Sequence, residues 1–189
     1  MRKFFTVAAA LATIWTNAQE TEQASVEKSV FGIQTGVIGL WVHHEAKLTR
    51  TIALRSEVGL DLGYWYSDLE GVSGHFIVPS LTVEPRWYYN LDKRTKKGYR
   101  TDGNSGNYVS LRGSFYPDMV VSSSVENARF VPQLFIGPMW GIRRNLGKHF
   151  NYEAGAGLVY VQYFPPSDVF MASESDVDVL VHLRIGYKF

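Results

Sequence analysis

The chain has 189 residues, 46% of them from the AVILMFWYC set, yet its mean hydropathy is -0.11, so apolar side chains are interleaved with polar ones rather than clustered. Its 19 Lys and Arg balance 18 Asp and Glu, which leaves no strong field for nucleic acid, and it has no Cys, which excludes thiol catalysis, disulfide staples and a lipidated N-terminal Cys. Beyond the N-terminus no run approaches the roughly 18 apolar residues of a spanning helix, so any membrane crossing has to be made by strands.

Residues 1–18 read as a signal peptide. Arg2 and Lys3 form a basic n-region, Phe4 to Trp15 an apolar stretch, and Thr16, Asn17 and Ala18 a cleavage site. Without Arg2 and Lys3 the 19 basic residues become 17 against 18 acidic ones, a formal charge of -1. Residues 19–29 form a polar leader, and residues 30–189 a single domain.

Val30 to His44 reads as a Gly-rich first strand with Ile33, Thr35, Val37, Gly39 and Trp41 on one parity, followed by a turn over 47–51. The cleanest alternation comes next: Leu54, Ser56, Val58, Leu60, Leu62, Tyr64 and Tyr66 against Ala53, Arg55, Glu57, Gly59, Asp61 and Gly63. A helix would scatter both sets around its circumference, whereas a strand puts them on opposite faces. Ser67 to His75 is a loop, and Phe76 to Leu91 a third strand with Leu81, Val83, Trp87 and Tyr89 opposed to Thr82, Glu84, Arg86 and Tyr88.

Asp92 to Asn107 is a long polar connection whose basic residues Lys93, Arg94, Lys96, Lys97 and Arg100 suggest contact with anionic lipid or cell wall, or else a solvated mobile turn. Tyr108–Tyr116, Arg129–Arg144 and Asn151–Tyr163 are further strands, separated by a loop over 117–128 and a turn at Asn145–Lys148, in which Gly147 can take a positive φ. After a loop over 164–174, the last strand shows Val177, Val179, Val181, Leu183, Ile185, Tyr187 and Phe189 on one parity and Asp176, Asp178, Leu180, His182, Arg184, Gly186 and Lys188 on the other.

These elements specify an all-β fold, a small antiparallel up-and-down transmembrane β-barrel. Seven strands are visible and a closed barrel of this kind needs an even number, so eight are expected. Either Ala24 to Ile33 hides a short strand, or the first strand is split at Gly36 or Gly39. Pro85, Pro132 and Pro138 fall inside strand segments and are expected at bulges or strand ends. With the C-terminus in the periplasm, the short turns fall on that side and the longer loops face outward. Trp41, Trp87, Tyr89, Trp140, Tyr152, Tyr187 and Phe189 then form a periplasmic girdle, and Tyr64, Tyr66, Phe115 and Tyr160 an external one.

The inward parity collects Arg55, Arg86, Arg112, Arg143 and Arg184 with Glu57, Asp61, Glu84, Glu153 and Asp178, and His182 beside them. An eight-stranded barrel is about wide enough for side chains to fill, so these charges are expected to interlock as a structural network. Neighbouring His43 and His44 point to opposite faces and cannot share a metal. No catalytic residue, cofactor or metal site is expected.

The terminal strand, ending in Tyr187 and Phe189, resembles the assembly signal of bacterial outer-membrane barrels. The segments Glu84 to Arg94, Ser105 to Arg112 and Arg143 to Glu153, with a leader ending Asn-Ala-Gln, are similar to small, largely uncharacterised outer-membrane β-barrel proteins of Bacteroidota. The resemblance implies an outer-membrane monomer whose partners are outer-membrane lipids and the barrel assembly machinery, and it supplies no active site. A structural or surface-interaction role is the leading expectation; a narrow pore for small solutes and a lipid A-modifying enzyme are the alternatives.

Overall fold

A strand that is apolar on one face and charged on the other needs two different environments, and a sheet of such strands also carries costly unpaired edges. Rolling the sheet until its ends pair puts every charged face on one axis and removes the edges. The computed structural model describes residues 23–67, 72–126, 128–166 and 174–189 and shows this solution; the expected signal peptide and the side chain of Tyr66 lie outside what it describes.

The strands are β1 (Ser29–Gly36), β2 (Gly39–Lys47), β3 (Ile52–Ser67), β4 (Val72–Tyr88), β5 (Asn107–Tyr116), β6 (Ser122–Ser123), β7 (Gln133–Leu146), β8 (Phe150–Tyr163) and β9 (Ser175–Lys188). All but β6 belong to one antiparallel ring in the order β3-β2-β1-β9-β8-β7-β5-β4, closed by β3 against β4, so the barrel has eight strands. The two-residue β6 pairs with Phe76 and Ile77 and continues the wall beyond the end of β5. Both ends of the stretch from residue 23 to 189, the β2–β3 and β7–β8 turns and the β4–β5 connection sit at one end, called here the floor; the other connections form the rim.

The eighth strand comes from splitting the first. Gly36 pairs with Gly39, which leaves Val37 and Ile38 as a two-residue turn. Neither has the positive φ typical of tight hairpins; Asn104 is the one non-glycine among the described residues that does. This turn reverses the parity assumed for a continuous strand. Trp41 therefore leaves the periplasmic girdle expected for it and becomes a lumen residue, 4% exposed, and Glu45 is carried into the lumen with it.

The prolines are also placed differently. Pro132 immediately precedes β7, as a strand-end proline should. Pro85 and Pro138 lie inside strands, and the register is the same on either side of each, so neither marks a bulge. Each is paired on one side, Pro85 to Leu54 and Pro138 to Leu111, and coincides with a break in the ladder on its other side.

The floor is folded rather than open. The 92–107 connection contains a helix, α1 (Leu91–Lys96), and a 3-10 turn at Asp102–Asn104, in which Gly103 (φ 60°) and Asn104 (φ 58°) turn the chain back toward the lumen. Part of the expected polar leader joins it: Val26 is buried with Ala53, Tyr88, Leu91 and Tyr108, and its N–H donates to the Arg50 carbonyl at 2.9 Å. Gly147 takes φ 69° in the β7–β8 turn, as its position required.

The ring closes through the β1–β9 seam, which has only five register pairs, Gly32 with Lys188 through Gly36 with Arg184. Phe189 extends it: its N–H donates to the Phe31 carbonyl at 3.1 Å, and its ring lies 5.5 Å from Phe31 and 5.3 Å from Tyr187. Deleting Phe189 is expected to lower the folded, heat-modifiable fraction on gels, and undiminished folding of the truncated chain would count against a seam-closing role.

Candidate functional site

Of the ten charged groups that alternation assigns to the inner wall, the structure brings eight together in burial and adds Glu45 to them. Arg55, Arg86, Arg112, Arg143 and Arg184 are all at most 5% exposed, as are Glu45, Glu57, Glu84 and Glu153. Half-buried Asp61 completes the inner set and is held by Ser80, whose hydroxyl lies 2.5 Å away. Asp178, expected in this network, is instead exposed and accepts from the N–H of Val179, its neighbour, at 2.7 Å. Glu45, which the hairpin turned inward, occupies the lumen in its stead.

Near the floor the network is centred on two carboxylates. Glu153 receives Arg86 through two nitrogens (2.8 and 3.0 Å) and Arg143 through Nε and Nη2 (2.9 and 2.7 Å), while the Tyr108 hydroxyl donates to it at 3.1 Å. Glu45 meets Arg143 at 2.5 Å and Arg55 at 3.3 Å, and also accepts from the Tyr88 hydroxyl (3.0 Å) and from Asn104 Nδ2 (2.8 Å). His182 Nε2 stands 3.4 Å from Glu153, inside the lumen as its parity required. Paired, bidentate contacts of this kind offset the desolvation of each charge.

Toward the rim, Arg55 reaches Glu57 (2.5 Å) and Gln34 (2.7 Å), and Glu57 also takes Arg112 (3.2 Å) and Arg184 (2.7 Å). Glu84 joins Arg86 at 2.8 Å and accepts from Ser110. The Arg184 guanidinium lies over the Trp41 indole, 3.9 Å from its centroid. That indole rests against Gly39 and Gly59; a Cβ on Gly59 would collide with it, so the bare backbone makes its place. Beside it a cavity of about 270 Å³ occupies the rim half of the lumen, bordered by Trp41, Asp61, Arg112, Tyr116, Phe135 and Arg184.

The basic connection has two kinds of residue. Arg94 is structural, donating to the Arg100 carbonyl at 3.0 Å and lying over Tyr99, and Arg100 pairs with Asp102 (2.8 Å) and donates to the Gly147 carbonyl. Lys93, Lys96 and Lys97 are exposed. Asp102 also binds Lys188 at 3.0 Å, and the Arg100 hydrogen bond, seconded by Lys188, holds its carboxyl down at about 2. A depressed carboxyl stabilises above its ordinary value of 3.8 and loses that contribution as pH falls through about 2, so this tie persists into acid.

His43 is buried and His44 is exposed beside Ser29, so the two rings do point to opposite faces. Among the described residues no group of three His, Cys, Asp or Glu is arranged to hold a metal ion. The residues that sequence reasoning missed are Trp41, His43 and Glu45, all dependent on the Val37–Ile38 turn, Gln34, a lone polar residue on β1 before it, and Asn104, which lies in what read as a loop.

Comparison with family models, with curated proteins and with solved structures finds no match to this chain.

Glu153→Gln removes the charge that faces Arg86 and Arg143 and is expected to cost about 3–5 kcal/mol, the range for breaking a buried pair by removing one partner. Asp178→Asn is expected to stay within about 0.5 kcal/mol of the parent, as an exposed substitution does. Equilibrium refolding titrations of both variants check the difference.

Proposed function

We propose that the chain is an outer-membrane β-barrel protein with a sealed, ion-paired lumen, of the kind its sequence resembles in Bacteroidota, acting as a structural or surface-interaction component rather than as a channel. The observation that carries this reading is the inverted distribution of polarity. Val58, Leu60, Leu62, Leu81, Val83, Leu111, Ile136 and Leu158 are all over 40% exposed on the outer wall, while five Arg and four Glu are buried inside. Water would penalise that exterior, and a hydrocarbon layer would not.

The aromatics support the same placement. Trp87, Tyr89, Trp140, Phe150, Tyr187 and Phe189 lie exposed around the floor half, and Tyr64, Phe115 and Tyr160 toward the rim, as two interfacial belts would be. The floor segments and the fully buried Arg55, Arg86, Arg143, Tyr88 and Tyr108 fill the cross-section, which argues against the pore alternative. The lumen carboxylates are each held by guanidinium or hydroxyl donors, an arrangement suited to fixing charge rather than abstracting protons, which gives the lipid-modifying enzyme no support.

Leu60 faces outward on β3 beside inward Asp61. Leu60→Arg is expected to cost about 2–4 kcal/mol for refolding into lipid vesicles, the range for Arg on a lipid face near the midplane, and the wild-type barrel should give no steady conductance in planar bilayers. A harmless Leu60→Arg would overturn the membrane placement.

On the periplasmic side the exposed Lys93, Lys96 and Lys97 are placed to meet anionic headgroups or cell-wall polymers at about 1 kcal/mol each. Changing these three to Gln is expected to weaken binding of the detergent-folded protein to anionic vesicles at low salt and to leave the heat-modifiable fold intact; unchanged binding would remove the proposed contact. Arg94 is left in place because it holds the floor.

A further inference from the structure

The barrel wall is not equally tall all the way round. The β1–β2 hairpin turns at Val37 and Ile38, well below its neighbours. On one flank, β3 is bonded to the hairpin only as far as Leu62, whose N–H donates to the Ile38 carbonyl at 2.7 Å, yet β3 continues to Ser67. On the other flank, β9 pairs with β1 only up to Arg184, so residues 175–183 have no strand partner on that side among the described residues. Among the described residues two strand positions are therefore empty above the hairpin, and at about 4.8 Å per inter-strand spacing they leave a notch of roughly 14 Å between the facing edges of β3 and β9.

The notch lies at lipid depth. Tyr160, in the rim belt, is paired with Val177, and below that level β9 presents Val179, Val181 and Leu183 outward, each over 60% exposed. Unpaired strand edges at this depth are tolerated only where they line a polar or water-filled cavity.

The rim cavity leads to this notch. Its border includes the hairpin tip, Val37 and Ile38, and the outward-facing Val181 and Leu183, as well as the lumen residues Arg112, Asp61 and Arg184. The apolar part lies at the mouth and the charge lies inside, where Arg112 and Arg184, both also bonded to Glu57, flank Asp61. Arg184 is 4% exposed, and its Nε has no hydrogen-bond partner; Nδ1 of His182, which also lines the cavity, has none either. Buried polar atoms left unmatched in this way are candidate ligand contacts.

We propose that the notch is a lateral doorway through which a single-chain anionic amphiphile of the outer leaflet sets its headgroup against Arg184 and Arg112 while its chain lies along Val181, Leu183 and Ile38. The size of the cavity, about 270 Å³, suits one head and the start of one chain rather than a multi-chain lipid. The guanidinium N–H groups of Arg184 and Arg112 that Glu57 leaves unmatched favour a carboxylate or phosphate head over a neutral one, with Asp61 setting the limit on how much negative charge is accepted. This rests on the membrane placement proposed above.

Trp41 borders the cavity and can report on it. The test uses the full chain folded in phosphocholine nanodiscs, with Trp15, Trp65, Trp87 and Trp140 changed to Phe, and a nitroxide-labelled fatty acid as the probe. Saturable quenching of Trp41 by the acid is expected, while its methyl ester quenches only in proportion to its concentration in the bilayer. Arg184→Gln should weaken the saturable component at least tenfold, and so should Ile38→Phe, which crowds the mouth and removes no charge. If Arg184→Gln does not fold, Ile38→Phe decides alone.

Quenching that never saturates, or saturates equally for acid and ester or in the folded variants, would overturn the doorway. Displacement of the acid by equimolar inorganic phosphate would overturn it in favour of a free-anion site. Failure of the protein to enter nanodiscs, read from gel mobility before any probe is added, would instead locate the error in the membrane placement.

Discussion

Glu45 and Glu153 stand between Arg55, Arg86 and Arg143, and the rest of the barrel is arranged so that these five charges are closed off from their surroundings. Isolated ions at such depth would cost many kcal/mol apiece, and the cost is tolerable only while every one keeps its partners. That requirement explains features that otherwise look unrelated. Tyr88, Tyr108 and Asn104 donate to carboxylate oxygens, and the β4–β5 connection folds under the strands to deliver Asn104. The exterior can then be largely apolar because the interior has absorbed most of the wall's charge.

The architecture was legible because the chain is written in period two. Arg55, Glu57, Glu84, Arg86, Arg112, Arg143, Glu153 and Arg184 alternate with aliphatic residues so regularly that their common face follows from counting. What counting left open was a single turn. A split at Gly36 or Gly39 was one of two ways to reach eight strands, but Val37 and Ile38 are β-branched and apolar, the residue types least associated with hairpin loops, so face assignments were carried through the segment as if it were continuous. One reversal left out shifts every later residue of that segment to the wrong face. It put Trp41 in the girdle and hid Glu45, and the neutral count of the lumen survived only because exposed Asp178 had been assigned in its place. Asp178 misled for a complementary reason: near the rim the wall no longer encloses a lumen, so parity ceases to predict burial.

The floor was opaque for a different reason. Residues 92–107 are polar and basic, the composition of a solvated loop, and their fold depends on long-range ties such as Arg50 to Asp92 and Glu27 to Gly103 and Asn104. No local pattern signals those. Val26 was a single apolar residue in a polar leader, and its burial depends on Leu91, Tyr88 and Tyr108, more than sixty positions away. By contrast Gly147 needed only its neighbours to be read correctly, because a tight turn is a local matter.

The contacts of Asp102 join two parts of the barrel that could have been separate. Its carboxylate binds Arg100 within the floor and Lys188 on the final strand, and the Arg100 guanidinium also reaches the β7–β8 turn at Gly147. Lys188 ends a strand that pairs with both β8 and β1, and its own N–H donates to the His149 carbonyl. The residue that ends the closing strand is thus also one that ties the ring to its base, so a change that loosens the seam is felt in the floor.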